Sequence, residues 1–186
     1  MYIYRFPVKE PAMRKKRIRG VKIYEPAKIS GVNNITFGEN VIIDAFTHIY
    51  ANRPMTIGNN VHIASFVFIS GGDIIEIGDF VGLFQGAKIY ASSDDFKDWG
   101  FGNPTIDEKY RNPFRAPVSI GRFASIGANS VILPGVTIGE GAAVGANSLI
   151  SRDLEPWSIY VGNNKIGERN RDGVLENYEQ YLQDNH

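Results

Sequence analysis

The sequence predicts an all-β solenoid, a parallel β-helix with one long inserted loop and a C-terminal helix. Three observations carry this. First, an aliphatic residue falls on every sixth position from Ile120 through Ile126, Ile132, Ile138 and Val144 to Ile150. A period of six is neither that of a helix nor that of a plain alternating strand, and short internal repeats of this kind read as a parallel β-helix. Second, the residue after the aliphatic one is usually Gly or another small residue, as at Gly121, Gly127, Gly139 and Gly145. Third, the upstream repeat is broken in a regular way. Ile23 and Ile29 are six apart, and Phe37 follows after eight. The same pattern recurs in Ile43, Ile49 and Ile57, and again in Ile63, Ile69 and Ile77, with Ile77, Leu83 and Ile89 starting another set.

Each hexad reads as one short strand plus one turn. The aliphatic side chain points into a narrow interior. The small residue after it stands where the chain bends and a large side chain would collide. A single coil cannot bury its own edges, so coils stack and share a continuous ladder of Ile, Val and Leu. The two extra residues always fall at one corner, within 31–36, within 52–56, and at Gly71, Gly72 and Asp73. That regularity fixes three hexads per triangular coil.

The step from Ile89 to Ile120 leaves the same corner and carries residues 91–117, which have no hexad phase. This insertion is polar, aromatic and Pro-containing, with Asp94, Asp95, Trp99, Pro104, Glu108, Tyr110 and Pro113. Long loops are uncommon in compact domains and usually functional where they occur. A solenoid has smooth walls, so a loop thrown from one corner is its natural site-former.

The β-helix is expected over 23–157, after an N-terminal segment 1–22 and before a tail with a helix, 158–186. The basic cluster Arg14, Lys15, Lys16, Arg17 and Arg19 reads either as a solvated segment or subunit contact, or as a phosphate-binding arm. In the tail, Val174, Leu175, Tyr178 and Leu182 fall on one face at helical spacing. Asp172 is the expected cap of that helix, which is expected to cover the open end of the solenoid.

Lys plus Arg total 20, and so do Asp plus Glu, so no overall charge argues for nucleic acid. Cysteine is absent, which removes disulfides, thiolate metal sites and a Cys nucleophile together. Met1 to Phe6 leads into a basic stretch and not an apolar one, unlike a signal peptide. No apolar run is long enough to span a membrane. A soluble, cytoplasmic protein is expected. With only His48, His62 and His186, no metal site is expected.

The hexads, the loop and the ending Arg152-Asp153-Leu154-Glu155-Pro156-Trp157 resemble the hexapeptide-repeat acyltransferases across residues 29–165. The resemblance implies a left-handed β-helix, an exception to the usual right-handed crossover. It also implies a homotrimer with active sites between subunits and acyl transfer, most often of acetyl, from coenzyme A to an amine or hydroxyl. The gamma-class carbonic anhydrases share the solenoid, but they hold zinc with three His, a set that this chain does not offer within its coils.

Members acting on galactosides place a catalytic His at the start of the equivalent loop. Here that place maps onto Asp94 or Asp95. The sequence thus looks closer to the branch that N-acylates nucleotide-linked 4-amino-4,6-dideoxy sugars, where an acidic loop residue is the candidate base. A sugar hydroxyl needs a strong base to attack a thioester. An amine needs only to be neutral, so a carboxylate suffices. The bland reading of the Asp pair is an Asx-type turn at the loop neck, and the two roles can divide between the two residues. His62 precedes the inward Ile63 in the column of Gly82 and Ser125. It reads either as a proton acceptor or sugar ligand, or as a surface His without a role. For coenzyme A, the resemblance implies backbone contacts at Ala128, Ala146 and Ser151 and a phosphate contact at Arg152.

The reading is therefore an acetyl-CoA-dependent N-acetyltransferase of a nucleotide-linked amino sugar used in surface glycans such as lipopolysaccharide. A sugar O-acetyltransferase and a non-enzymatic solenoid scaffold are the alternatives. The inserted loop counts against the scaffold.

Overall fold

Residues 18–185 are described by the computed structural model, and three parallel sheets wind them into one β-helix. Each coil gives one strand to each sheet. The first sheet stacks Val21–Ile23, Val41–Ile43, His62–Ile63, Gly82–Leu83, Ser125–Ile126, Ala143–Val144 and Ser158–Val161, and ends on an antiparallel strand, Asn164–Glu168. The second stacks Lys28–Ser30, His48–Ala51, Phe68–Gly71, Lys88–Tyr90, Val131–Ile132 and Leu149–Ile150. The third stacks Ile35–Phe37, Met55–Ile57, Ile75–Ile77, Val118–Ile120 and Thr137–Ile138.

The aliphatic columns pair in register. In the first sheet, Ile43, Ile63, Leu83, Ile126 and Val144 lie directly above one another. In the second, Ile49, Ile69, Ile89, Ile132 and Ile150 are all fully buried. The inserted loop does not interrupt the ladder, because Ile77 pairs with Ile120 as though the loop were absent. Burial of these ladders is the main stabilising contribution, at about 25 cal/mol per Å² of apolar surface removed from water.

The small residue after each inward aliphatic is explained by the spacing between coils. A Cβ on Gly121 would stand 2.6 Å from the backbone nitrogen of Glu140 in the next coil. Two of the three corners turn through left-handed backbone in nearly every coil, and the third does so at Gly31 and Gly135. Between the third and first sheets these residues are Asn40, Asn60, Phe80, Phe123, Gly141 and Trp157. Between the first and second they are Phe46, Phe66, Gly86, Asn129 and Asn147. The corner between the second and third sheets holds the extra residues and the loop.

The two ends differ from expectation. Parallel pairing begins at Val21 and reaches Tyr160, beyond the expected 23–157. The helix α1 spans Arg171–Asp184, and its cap is Asn170, whose side chain accepts from the Gly173 amide. Asp172 instead lies inside the first turn. Nor does α1 cover the open end. It lies along the corner between the third and first sheets, with the Tyr178 ring 5.3 Å from Phe80 and 5.2 Å from Phe123. Arg169 anchors its start by donating to the carbonyls of Phe123 and Gly141. The physical reason is that this corner carries aromatic rings that need cover. The end itself is closed by the turn after Val161, where the Gly162 amide donates to Ser148 Oγ at 2.9 Å. Below that turn, the hydroxyl of the buried Tyr160 accepts from the Glu155 amide at 3.2 Å. Residues 14–17 of the basic cluster and His186 lie outside the described residues.

Candidate active site

The loop has a defined neck. Ser92–Ser93 pairs antiparallel with Phe114–Arg115, and the Ala116 amide donates to the Ala91 carbonyl at 3.2 Å. Beyond the neck, adjacent carboxylates take different partners. Asp95 Oδ1 accepts from the amides of Lys97 and Asp98 at 2.9 and 2.7 Å. Its Oδ2 accepts from the Gly100 amide at 2.9 Å and from Asn112 Nδ2 at 3.3 Å. These backbone bonds hold the Asp95 carboxyl down at about 2. Both its oxygens are engaged in folding the loop.

Asp94 is held by a side chain instead. Its Oδ1 accepts from Arg111 Nη2 at 2.9 Å, with the two side chains 30% and 18% exposed. Arg111 Nε is buried and has no hydrogen-bond partner among the described residues. A half-covered ion pair thus sits beside the neck, with one donor of the guanidinium unspent. Around it the loop shows Phe96, Trp99, Phe101, Tyr110 and Phe114 to solvent.

His62 lies elsewhere on the subunit. It projects from the first sheet, between Ile42 and Gly82, whereas the loop leaves the corner between the second and third sheets. His62 Nε2 is 2.9 Å from Asp44 Oδ2, so the imidazole has a carboxylate partner. His48 occupies the matching slot in the second sheet among Tyr50 and Phe68. Its imidazole is pushed below the usual range by burial and by the Lys28 charge.

Ala128 and Ala146 lie in successive coils at the corner between the first and second sheets, tied by the Asn147 amide donating to the Ala128 carbonyl at 2.8 Å. Ser151 and Arg152 follow the second sheet's last strand, Leu149–Ile150. The structure joins them through Asn163: its Oδ1 accepts from the Ser151 amide at 3.0 Å, its Nδ2 donates to Ser151 Oγ at 2.8 Å, and its carbonyl accepts from Arg152. Ala128 and Ala146 are thus at one corner and Ser151 and Arg152 at the next. No group of three or more His, Cys, Asp or Glu able to hold a metal occurs among the described residues.

Residues 117–152 match the family model for bacterial transferase hexapeptide (six repeats). The dTDP-4-amino-4,6-dideoxy-D-glucose acyltransferase of Escherichia coli is 34% identical over 154 residues, covering 81% of this chain and 80% of that protein. The chain belongs to the hexapeptide-repeat acyltransferases. AntD, an N-acyltransferase from Bacillus cereus, has been solved in complex with dTDP and 3-hydroxybutyryl-CoA. It superposes with a TM-score of 0.83 at 37% identity, over 90% of this chain and 89% of AntD. A mutant of AntD in complex with dTDP-4-amino-4,6-dideoxyglucose and coenzyme A gives 0.84 at 37% identity, over 89% of each chain.

Two partners in this acyltransferase were not visible in its sequence. Arg111 is 17 residues from Asp94 inside a stretch with no period, so only closure of the neck brings them together. Asp44 was recoverable in principle. Ile42 pairs with His62, and side chains two residues apart on a strand share one face, which brings Asp44 to the face of His62.

Proposed function

We propose that this protein transfers an acyl group, acetyl in the first instance, from a coenzyme A thioester to the amine of a nucleotide-linked 4-amino-4,6-dideoxy sugar. The observation that carries this is the Asp94–Arg111 pair at the neck of the loop. It supports a carboxylate as the working group where the resemblance maps the His of galactoside-type members. The names and ligands of the relatives point to the same acceptor.

The chemistry follows from the groups present. The neutral amine attacks the thioester carbonyl, the new C–N bond forms, and the C–S bond breaks. The amine's proton leaves and coenzyme A departs as the thiol. Asp94 accepts a hydrogen bond from the incoming nitrogen and orients it, while Arg111 holds the carboxylate in place. Asp95 folds the loop and takes no part in proton transfer. Ala128 and Ala146 bring backbone close to the pantetheine arm, and Arg152 meets a phosphate.

A homotrimer with sites between neighbouring subunits fits this arrangement. The loop and the Ala128–Ala146 corner flank different edges of the second sheet. The loop's exposed aromatics also need cover. Both substrates are activated metabolites of the cytoplasm, and the product suits a surface glycan such as lipopolysaccharide. O-transfer to a sugar hydroxyl is the second reading, supported by the His62–Asp44 pair, because a carboxylate-oriented imidazole is what a hydroxyl acceptor needs.

The test is thiol release from acetyl-CoA with a dTDP-4-amino-4,6-dideoxy sugar and, in parallel, with simple galactosides. Release with the amino sugar alone is expected. Release with galactosides alone would move the reading to O-transfer and to His62.

A further inference from the structure

Five residues in the described chain are neither Gly nor Asn yet adopt left-handed backbone: Phe46, Phe66, Phe80, Phe123 and Trp157. A bulky aromatic in that conformation is strained where Gly or Asn is not. Three of the five share the corner under α1, where Tyr178 and Tyr181 pack on Phe80, Tyr178 packs on Phe123, and Trp157 packs on Phe123. Burial offsets the strain there. Phe46 and Phe66 stand at the other corner and are 56% and 61% exposed. Their rings stack on one another with centroids 5.2 Å apart and planes 6° from parallel. In the next three coils the same column is filled by Gly86, Asn129 and Asn147, residues that suit the turn. The fold therefore does not require rings at this corner, and strain kept at an exposed position points to a use.

The pair borders an open groove of about 400 Å³, lined also by Pro26, Ala27, Lys28, Thr47 and His48. Its chemistry is a flat aromatic platform beside an exposed lysine. It lies on the same corner as Ala128 and Ala146. Coils rise by about 4.8 Å each. Along this corner the coils of Ala146 and Ala128 are followed by that of Gly86, with Phe66 and Phe46 in the two coils beyond. With the donor of the proposed function over Ala146 and Ala128, the far end of the same corner is left for the acceptor's nucleotide.

We infer that Phe46 and Phe66 form the platform on which the base of the nucleotide-linked acceptor stacks, with Lys28 on the rim for its diphosphate. This rests on the proposed function and names where the acceptor's nucleotide is held. Stacking of a base on an aromatic ring is sequence-tolerant and strong enough to be read by substitution. The platform selects a nucleotide-linked sugar over a free one.

The experiment is calorimetric titration of dTDP, and separately of coenzyme A, into the wild type, Phe46→Asn and Phe66→Asn. Asn suits the left-handed turn, so these variants remove a ring without adding strain, and their melting temperatures are expected to hold or rise. Each variant is expected to bind dTDP at least tenfold more weakly, with coenzyme A affinity and oligomeric mass unchanged. Unchanged dTDP affinity would overturn the inference and leave the proposed function standing. A loss of dTDP binding accompanied by dissociation of the oligomer would also overturn it, because the pair would then be a subunit contact. Failure of the wild type to bind dTDP would sink the proposed function itself.

Discussion

Arg111 donates from Nη2 to Asp94 Oδ1 at 2.9 Å, and the pair links the two sides of the loop just beyond its neck. The guanidinium is largely covered, and its Nε has no partner. Asp94→Asn is expected to lower turnover on the order of 100-fold with little effect on coenzyme A binding. Arg111→Ala is expected to lower turnover less and to raise the Michaelis constant for the acceptor, with Arg111→Lys partly restoring both. Steady-state kinetics with each substrate varied separate these effects. Equal damage from His62→Ala and none from Asp94→Asn would reassign the base.

Asp95 supports the loop through hydrogen bonds that are strongest while it is ionised. Its carboxyl is lowered from 3.8 to about 2, first by the Lys97 amide and then by those of Asp98 and Gly100. A lowered value means the contribution is present above about pH 4 and disappears as the pH falls toward 2. Hydrogen exchange at the amides of Lys97, Asp98 and Gly100 should therefore quicken, relative to the β-helix, across that window. Asp95→Ala should show fast exchange at those amides already at neutral pH. Slow exchange in Asp95→Ala would contradict the assignment.

Arg152→Ala should raise the Michaelis constant for acetyl-CoA several-fold with turnover nearly unchanged, as loss of uniform binding does. The Asn163 side chain, which bonds the Ser151 amide and hydroxyl, adds a control. Asn163→Ala loosens the same turn without removing the charge, so it should affect the constant less. Equal effects would make Arg152 a structural residue of the turn.

Most of the fold was legible in the sequence because it is repeated. The columns Ile49–Ile69–Ile89 and Ile57–Ile77–Ile120 pair as the spacing requires. A hexad can be read this way because each coil meets only its neighbours. The tail was harder. Val174, Leu175, Tyr178 and Leu182 do form the half-buried face of α1, but the choice of surface was not written in α1. It is written in Phe80 and Phe123, corner residues whose rings a bare solenoid leaves exposed and α1 covers. Within the site, nothing local links Asp94 to Arg111, because the loop that joins them has no period.

The corrected helix start can be checked by stability. Asn170→Ala removes the side-chain acceptor of the Gly173 amide and should cost about 1 kcal/mol. Asp172→Ala removes only a charge in the first turn, a loss of about 0.3–1 kcal/mol. Chemical denaturation gives both values. A larger loss for Asp172→Ala would restore Asp172 as the cap.

The spacing between coils makes a sharper test of the fold. Gly121→Val puts side-chain atoms where even a Cβ lies 2.6 Å from the Glu140 nitrogen, and is expected to cost about 2 kcal/mol or more. Gly167→Val, where a Cβ meets nothing within 4 Å, is the control and should be nearly neutral. Matching melting temperatures for the two variants would contradict the stacking.

The most direct measurement of the central claim is the identity of the bond made. The wild type is incubated with acetyl-CoA and a dTDP-4-amino-4,6-dideoxy sugar, and the product is treated with hydroxylamine and followed by mass spectrometry. An acetyl group on nitrogen survives this treatment, and that is the result expected. An acetyl group lost to hydroxylamine would be an ester, and would contradict amine transfer.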